Sequence, residues 1–244
     1  MGTLDAFRAL TAAAFLMSGS ATPSSHEHSV SVAERAVLPQ VDHVVYATRD
    51  LEMSITKLEE ILGVRASFGG KHPGGGTQNA LIALGPGMYL EIMAPDPDQP
   101  DPPRGRPFGI DALREPHVVA WLAKGKDLPT LVARARVQGV ALGDLREGSR
   151  RRPDGAQLSW QFTDPWVSVG DGVVPIFIDW GASPHPSEVA PQGASLLGLR
   201  AEHPQPDKVK VILDTLGVRL HVEKGAHPAL IMSIQTTHGV VELR

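Results

Sequence analysis

Two polar side chains stand in apolar segments, where an isolated charge would be costly. His43 lies in the apolar run 41–47, and Glu91 lies between Leu90 and Ile92. Because burying an ionisable group alone is unfavourable, we expect each of them to find a partner. If two strands bring them to one groove, the imidazole and the carboxylate could each ligate the same divalent cation. A structural histidine–glutamate hydrogen bond, or two edge residues that face water, would also explain the pattern.

The turn over residues 71–79 has the most unusual local composition. His72 and Pro73 are followed by three glycines, and Asn79 closes the string. Glycines allow backbone N–H groups to approach a ligand closely, although the spacing is not that of a phosphate-binding loop. His72 could be a further metal ligand or a general base, and Asn79 a polar anchor. A flexible hairpin with a solvated histidine is the alternative.

The second half of the chain offers a few more candidates. Arg150 and Arg152 stand in a short basic loop and could pair with a carboxylate or phosphate of a substrate, or form a solvated turn. Asp179 lies in a strand and could be a third metal ligand or a cap at the strand end. Trp160 and Trp180 could form apolar walls of a binding site, or simply pack in the core.

The composition limits the choice of metals and partners. The 244 residues include no cysteine, so a metal would be held by His, Asp or Glu, which suits zinc, iron, manganese or nickel. The formal net charge of −4 argues against nucleic acid or an anionic membrane as the main partner. No apolar run approaches the roughly 18 residues that a membrane span requires. We therefore expect a small molecule as the partner.

The elements that must position these residues occur three times along the chain. Each stretch has an apolar strand, a polar turn, an amphipathic helix and a closing glycine, at Gly63, Gly139 and Gly217. The separations of these glycines are 139 − 63 = 76 and 217 − 139 = 78 residues. Such equal spacing of a whole unit indicates a repeat.

Three further strands are predicted after each helix, so that each unit reads β-α-β-β-β. The fold class is therefore α+β, with repeated βαβββ modules that form curved half-barrel sheets. Two modules side by side would enclose a central groove lined by alternate strand residues, a natural ligand site. The predicted strands are 65–70, 78–84 and 88–94 in the first module, 140–145, 157–163 and 173–180 in the second, and 218–223, 229–236 and 240–243 in the third.

We divide the chain into a leader, a main domain and an additional module. The leader, residues 1–39, has an apolar stretch at 9–17 that resembles a weak signal peptide. A transit peptide or a start codon assigned too early fits equally well, and a cytoplasmic location is the default. His26 and His28 in this segment are expected to be solvated. The main domain spans 40–186, with modules 41–98 and 115–182, and a further βαβββ-like module spans 194–244.

Four motifs in order resemble the glyoxalase-like branch of the vicinal oxygen chelate superfamily. They are Asp-His-Val-Val-Tyr at 42–46, His-Pro-x-x-Gly-Thr-x-Asn at 72–79, Ser-Arg-x-Arg-Pro-Asp-Gly at 149–155 and Ile-Asp-Trp-Gly at 178–181. The superfamily takes metal ligands from the first and fourth strands of both modules. The resemblance therefore implies His43 and Glu91 as the first-module pair, with only Asp179 available from the second module. It also implies that Thr77 contacts the substrate.

Three functional hypotheses follow. The leading one is a metal-dependent enzyme that chelates two oxygens of a small molecule and stabilises an enolate or oxyanion, as a lyase or isomerase first and a dioxygenase second. His72 would transfer the proton and Asn79 would orient the substrate. The alternative is a metal-free binding or resistance-type protein with a groove lined by Trp121, Trp160 and Met93. A third hypothesis is that the last module pairs with a second chain in a homodimer.

Overall fold

The computed structural model describes residues 30–244. The segment at 9–17 that resembles a signal or transit peptide lies outside the described residues, as do His26 and His28. Within residues 30–244, no helix combines the length and the apolar character that crossing a bilayer would require.

The first two modules build one curved sheet of eight strands. Its strands are β1 Val41–Ala47, β2 Ser67–His72, β3 Thr77–Ala83, β4 Tyr89–Pro95, β5 His117–Lys124, β6 Arg146–Arg151, β7 Gln157–Phe162 and β8 Ile176–Asp179. Their order is β2-β3-β4-β1-β5-β8-β7-β6. In each module the first strand lies parallel to the last, and β1 and β5 join the modules as an antiparallel pair. The predicted fold class is confirmed.

Within residues 30–244, four α-helices accompany the strands: α1 Val32–Arg35, α2 Leu51–Leu62, α3 Leu128–Val137 and α4 Pro206–Leu216. The longest, α2, shows how the sequence defines such a helix. The Asp50 side chain accepts a hydrogen bond from the Met53 backbone N–H at its start, and Gly63 ends it at φ 69°, a left-handed conformation that glycine adopts without strain. Leu58 and Leu62 are buried on its inner face.

The two faces of the large sheet have different partners. Val44 and Ile92, on alternate positions of β1 and β4, belong to a large apolar cluster that includes the inner faces of α2, α3 and α4. Val45 and Met93, on the opposite face, belong to a second cluster with side chains from β5 and β8. Because strand side chains alternate, the face carrying His43 and Glu91 is the one turned away from the helices.

The strand predicted at 140–145 is wrong. That segment is a loop, and β6 begins only at Arg146. Val140 and Leu142 are nevertheless buried in the large apolar cluster. A short apolar run indicates that a segment is buried, but it does not by itself distinguish a strand from a packed loop. The other predicted strands lie within three residues of the observed ones.

The third unit has the predicted order of elements but a different strand pairing. It contains β9 Ser195–His203, β10 His221–Lys224, β11 Ala229–Thr236 and β12 Gly239–Leu243, in the sheet order β10-β9-β11-β12. Its first strand, β9, lies parallel to the strand that directly follows the helix, whereas in the first two modules it lies parallel to the last strand. The spacing of elements defined their order, but strand pairing depends on packing. The apolar face of this unit, including Leu199 and Met232, belongs to the same cluster as Leu58.

The folded part begins before the predicted boundary at residue 40. Val37 is fully buried in the large cluster, and α1 packs on β9. Glu34 of α1 forms an ion pair with Arg200 of β9 at 3.0 Å. Residues 32–39 therefore belong to the packed structure rather than to a separate leader.

Candidate functional site

A cavity of about 330 Å³ opens on the face of the large sheet that is turned away from the helices. Its polar lining comes from β1, β2, β3, β4 and β6, so both modules contribute. Its remaining walls are apolar. The polar residues are His43, His72, Thr77, Asn79, Glu91, Arg146, Glu147, Ser149 and Arg150, and the apolar ones include Phe108, Leu122, Trp160, Phe162, Ile178 and Trp180. A small amphipathic molecule would match such a lining.

His43 and Glu91 converge in this cavity. The parallel pairing of β1 and β4 sets Val45 opposite Glu91 and His43 opposite Tyr89. His43 Nε2 lies 3.4 Å from Glu91 Oε2, and the imidazole stacks on the Tyr89 ring with 4.4 Å between centroids. The expected meeting of an imidazole and a carboxylate from two separate strands is therefore observed.

Asp42 completes a buried charge network that the sequence did not reveal. Its Oδ1 lies 2.7 Å from His43 Nδ1, and its carboxylate also accepts a hydrogen bond from Trp180 Nε1 at 3.1 Å. His185 Nε2 lies 3.3 Å from Asp42 Oδ2. Simple alternation would turn Asp42 and His43 to opposite faces, but a register shift between β1 and β5 occurs at this residue. The bulge, invisible in the sequence, brings both side chains together.

The network holds His43 in its charged form. Burial would lower the pKa of His43, but hydrogen bonds and charge attraction from Asp42 and Glu91 outweigh it and raise the pKa to about 9. Burial would likewise raise the pKa of Glu91, but the hydrogen bond and the charge of His43 lower it to about 2. At neutral pH the two residues therefore form an imidazolium–carboxylate pair.

His72 lies beside this pair and, unlike His43, is neutral. Its Nδ1 lies 2.9 Å from Thr77 Oγ1, and its Nε2 lies 3.3 Å from Asn79 Nδ2 and 3.7 Å from Glu91 Oε1. Because Asn79 Nδ2 can only donate, this network assigns the lone pair to Nε2 and the proton to Nδ1. Burial lowers the pKa of His72, so a neutral imidazole lines the cavity.

The Asn79 amide is used within the protein. Its Nδ2 donates to Glu91 Oε1 at 2.6 Å, while its Oδ1 is the one fully buried side-chain polar atom of the described residues that has no hydrogen-bond partner. A Cβ on Gly69 would overlap this oxygen, so glycine is required there. The structure thus places Asn79 where it positions Glu91 and His72, and not where its oxygen could orient a substrate.

The two arginines of the basic loop have different places. Arg150 is buried, lines the cavity and donates a hydrogen bond from Nη1 to the Gly69 carbonyl of β2. Arg152 pairs with Asp154 in the loop and does not line the cavity. Arg150 lies within β6, whereas Arg152 lies in the turn that follows the end of the strand at Arg151, so strand alternation does not place the Arg152 side chain. Only Arg150 is therefore available to a ligand in the cavity.

Of the three tryptophans expected at the groove, two line the cavity and one does not. Trp160 and Trp180 line the cavity with their rings 5.1 Å apart between centroids. Trp121, expected to line the groove, is fully buried on the helical face, where its Nε1 donates to the Val173 carbonyl at 2.9 Å. The prediction for Trp121 was wrong, because its side chain lies on the opposite face of the sheet from Met93, and Met93 does line the cavity.

The donor set does not fit the expected metal centre. Asp179 does not line the cavity, and its Oδ1 accepts a hydrogen bond from the Gly181 backbone N–H at 2.9 Å. The second module instead presents Leu122 and Ile178 to the cavity. In the described part of the chain, no three or more His, Asp or Glu side chains are arranged to hold a metal ion. His43 and Glu91 remain as a pair that neutralises itself.

Residues 41–217 match the family model described as a glyoxalase-like domain, and the chain belongs to this family. The resemblance to the vicinal oxygen chelate superfamily is thereby confirmed. The match extends past the predicted domain end at 186 into the third unit, through α4. A comparison with curated proteins finds no match.

Solved structures resemble the chain at low identity. A crystal structure of a hypothetical protein from Staphylococcus aureus is 11% identical, covers 83% of each chain and has a TM-score of 0.55. Methylmalonyl-CoA epimerase from Mycobacterium tuberculosis is 22% identical over 62% of this chain and 91% of that chain, with a TM-score of 0.37. The Streptomyces coelicolor epimerase is 20% identical over 59% and 98%, with a TM-score of 0.41.

Proposed function

We propose that the protein is an enzyme of the lyase or isomerase type that moves a proton at a carbon next to a carbonyl group of a small molecule. The observation that carries this proposal is His72, a buried neutral imidazole whose Nε2 lone pair lies at the polar end of the cavity. A neutral imidazole can both accept and return a proton near neutral pH, which is the property of a general base.

The proposed reaction moves one proton between the substrate and His72. For this step the Asn79 amide gives up its 3.3 Å contact with His72 Nε2. The freed lone pair then takes the proton from the carbon, and the electron pair of the broken C–H bond moves into the carbonyl group to form an enolate. The positive charge of Arg150 lies in the same lining and stabilises the negative charge that develops on the oxygen. Return of the proton from His72 to the same or a neighbouring carbon regenerates the neutral imidazole.

The His43–Glu91 pair supports His72 without transferring the proton itself. Glu91 binds the Asn79 amide at 2.6 Å, and the same amide nitrogen lies against His72 Nε2 at 3.3 Å. His43 neutralises the charge of Glu91. The pair therefore holds Asn79, and through it the orientation and protonation state of His72.

Hydrogen–deuterium exchange tests this function. The protein in D₂O is incubated with small ketones and 2-oxo acids that carry an apolar substituent, and incorporation of deuterium next to the carbonyl is followed by NMR. His72→Gln should lower the exchange rate by about 10²- to 10⁴-fold while ligand binding is retained. His227→Gln, at an exposed turn, is the matched control and should exchange normally.

Two results would contradict the proposal. Full exchange by His72→Gln would show that another group is the base. Stoichiometric metal in the purified protein, with exchange lost on chelation and restored by that metal, would return the reaction to the metal-dependent mechanism.

A metal-free binding protein is the second candidate. The superfamily takes its second-module ligands from the first and last strands of that module, here β5 and β8, and these strands present only the apolar Leu122 and Ile178 to the cavity, which favours this candidate. In that case ligands would raise the melting temperature of the protein in the presence of chelator, and no exchange above the uncatalysed rate would occur with any ligand that binds.

A further inference from the structure

Arg150 is a buried cation without an anionic partner. Its side chain is 2% exposed, yet among residues 30–244 no carboxylate lies within 4.0 Å of its guanidinium nitrogens. Other arginines nearby are paired: Arg146, which also lines the cavity, with Asp164 at 2.9 Å, and Arg106, next in the chain to the lining residue Pro107, with Asp111 at 2.6 Å. A buried charge is costly unless it is paired, so this exception requires an explanation.

The guanidinium has donors left over, and they are open to the cavity. A guanidinium has five N–H donors in a fixed planar fork, and the protein uses only Nη1, which donates to the Gly69 carbonyl. The Nε and Nη2 atoms have no acceptor within the described residues. Both atoms nevertheless retain some accessible surface, because Asn79 Oδ1 is the one unpartnered side-chain polar atom of the described residues that is fully buried. Since Arg150 lines the cavity, these donors are available to a ligand.

The nearest protein carboxylate is already engaged. Glu91 accepts a hydrogen bond from Asn79 Nδ2 at 2.6 Å and pairs with His43 Nε2 at 3.4 Å. Glu91 influences Arg150 through its charge, but it does not reach the guanidinium fork. Among residues 30–244 no carboxylate is free to pair with the guanidinium fork of Arg150, so we look to a ligand for this acceptor.

We propose that the physiological ligand is a small monocarboxylate with an apolar or aromatic body, and that its carboxylate pairs with the free edge of the Arg150 guanidinium. The inference rests on the proposed function, since it names the substrate class of the same cavity. The planar fork matches the two oxygens of a carboxylate and can bind them in a bidentate manner.

The surroundings favour a carboxylate over a phosphate ester. Arg150 and the charged His43 bring two positive charges, and Asp42 and Glu91 bring two negative charges. A monocarboxylate adds one negative charge to this site, whereas a phosphate dianion adds two, close to two carboxylates in a medium of low dielectric constant.

The apolar body would lie between aromatic rings. Trp160 and Trp180 form one wall, and Phe162 continues it, with its ring centroid 6.3 Å from that of Trp160. The cavity volume of about 330 Å³ is at the small end of the range of roughly 300–1,000 Å³ typical of ligand sites. The ligand should therefore be small.

A pair of probes that differ only in the carboxylate tests this inference on the unaltered protein. The probes are 2-oxo-4-phenylbutanoate and 4-phenylbutan-2-one, which carries a methyl group in place of the carboxylate. Isothermal titration calorimetry should show that the carboxylate probe binds about 10- to 100-fold more tightly, as expected for hydrogen bonds to a charged group. Equal affinity of the two probes, or no binding of the carboxylate probe, would overturn the inference.

Two variants assign the effect to Arg150. Arg150→Met should remove the preference for the carboxylate, while Arg150→Lys, which retains the charge but not the fork, should retain part of it. Arg151→Met removes a charge from the adjacent, exposed position of the same strand and is the matched control with unchanged preference. Thermal unfolding of each variant checks that it is folded. An unchanged preference in folded Arg150→Met would overturn the inference.

The two proposals fail separately. Carboxylate-dependent binding through Arg150 without deuterium exchange would support the ligand class and contradict the enzymatic function. Equal affinity of the two probes, with deuterium exchange in both that is lost in His72→Gln, would support the enzymatic function and contradict the ligand class.

Discussion

The buried pair of His43 and Glu91 predicts how the stability of the protein depends on pH. In the folded state Asp42 and Glu91 raise the pKa of His43 from 6.5 to about 9. A group whose pKa is raised by folding stabilises the folded state at a pH below its unfolded pKa, and this stabilisation is lost as the pH rises through the folded value. The free energy of unfolding should therefore fall between pH 6.5 and about 9.

The size of the effect follows from the same values. A tenfold change in proton affinity corresponds to about 1.4 kcal/mol, so a pKa raised from 6.5 to about 9 contributes at most roughly 3.5 kcal/mol. The neighbouring His72 does not oppose this change, because burial lowers its pKa and it is neutral in both states above pH 6.5. The lowered pKa of Glu91, about 2, causes loss of stability only in acid.

Urea unfolding at several pH values measures the effect. The wild-type protein should lose up to roughly 3 kcal/mol between pH 6.5 and 9, and His43→Gln should show a nearly flat dependence in that window. His227→Gln is the control, because its side chain is exposed, and it should behave as the wild type. Constant stability of the wild type, or the same decline in His43→Gln, would refute the assigned charge state. An NMR titration that placed the pKa of His43 below 6.5 would refute it directly.

Two further predictions concern the packing around the cavity. Gly69→Ala should destabilise the protein by about 1–3 kcal/mol, because the added Cβ overlaps the Asn79 amide. Gly75→Ala is the control, because a Cβ there meets only ordinary contacts at 3.5 Å or more, and it should change the melting temperature little. Equal effects of the two substitutions would contradict this account. Trp121→Phe should cost about 1–3 kcal/mol through the lost hydrogen bond to Val173 yet leave ligand affinity unchanged, and a loss of affinity in the folded variant would show that Trp121 reaches the ligand.

Much of the fold could be predicted from the sequence because its signals are local. Apolar spacing and closing glycines such as Gly63 defined the helices, and strand alternation put His43 and Glu91 on one face of the sheet. The two modules then had to form a groove, because their apolar strand faces could be buried in few other ways. The family motifs added the expectation that these two residues belong to a functional site, and the structure brings them within 3.4 Å of each other.

The remaining features depended on contacts between distant segments. The bulge at Asp42 set a second carboxylate against His43, and β6 carried Arg150 across the open side of the sheet to the Gly69 carbonyl, 81 residues earlier in the chain. The third unit repeats the order of elements but pairs its strands differently, because the same local signals are compatible with more than one pairing.

The sequence by itself therefore determined that His43 and Glu91 share one face of the sheet, since alternation along a strand is a property of the backbone. Only the tertiary structure decided the chemical state of these side chains and the placement of their neighbours. It placed His43 between two carboxylates, left His72 neutral, turned Asp179 away and buried Arg150 without an anionic partner among residues 30–244. Those states depend on the distances between residues from different strands, and these distances exist only once the sheet has closed around the cavity.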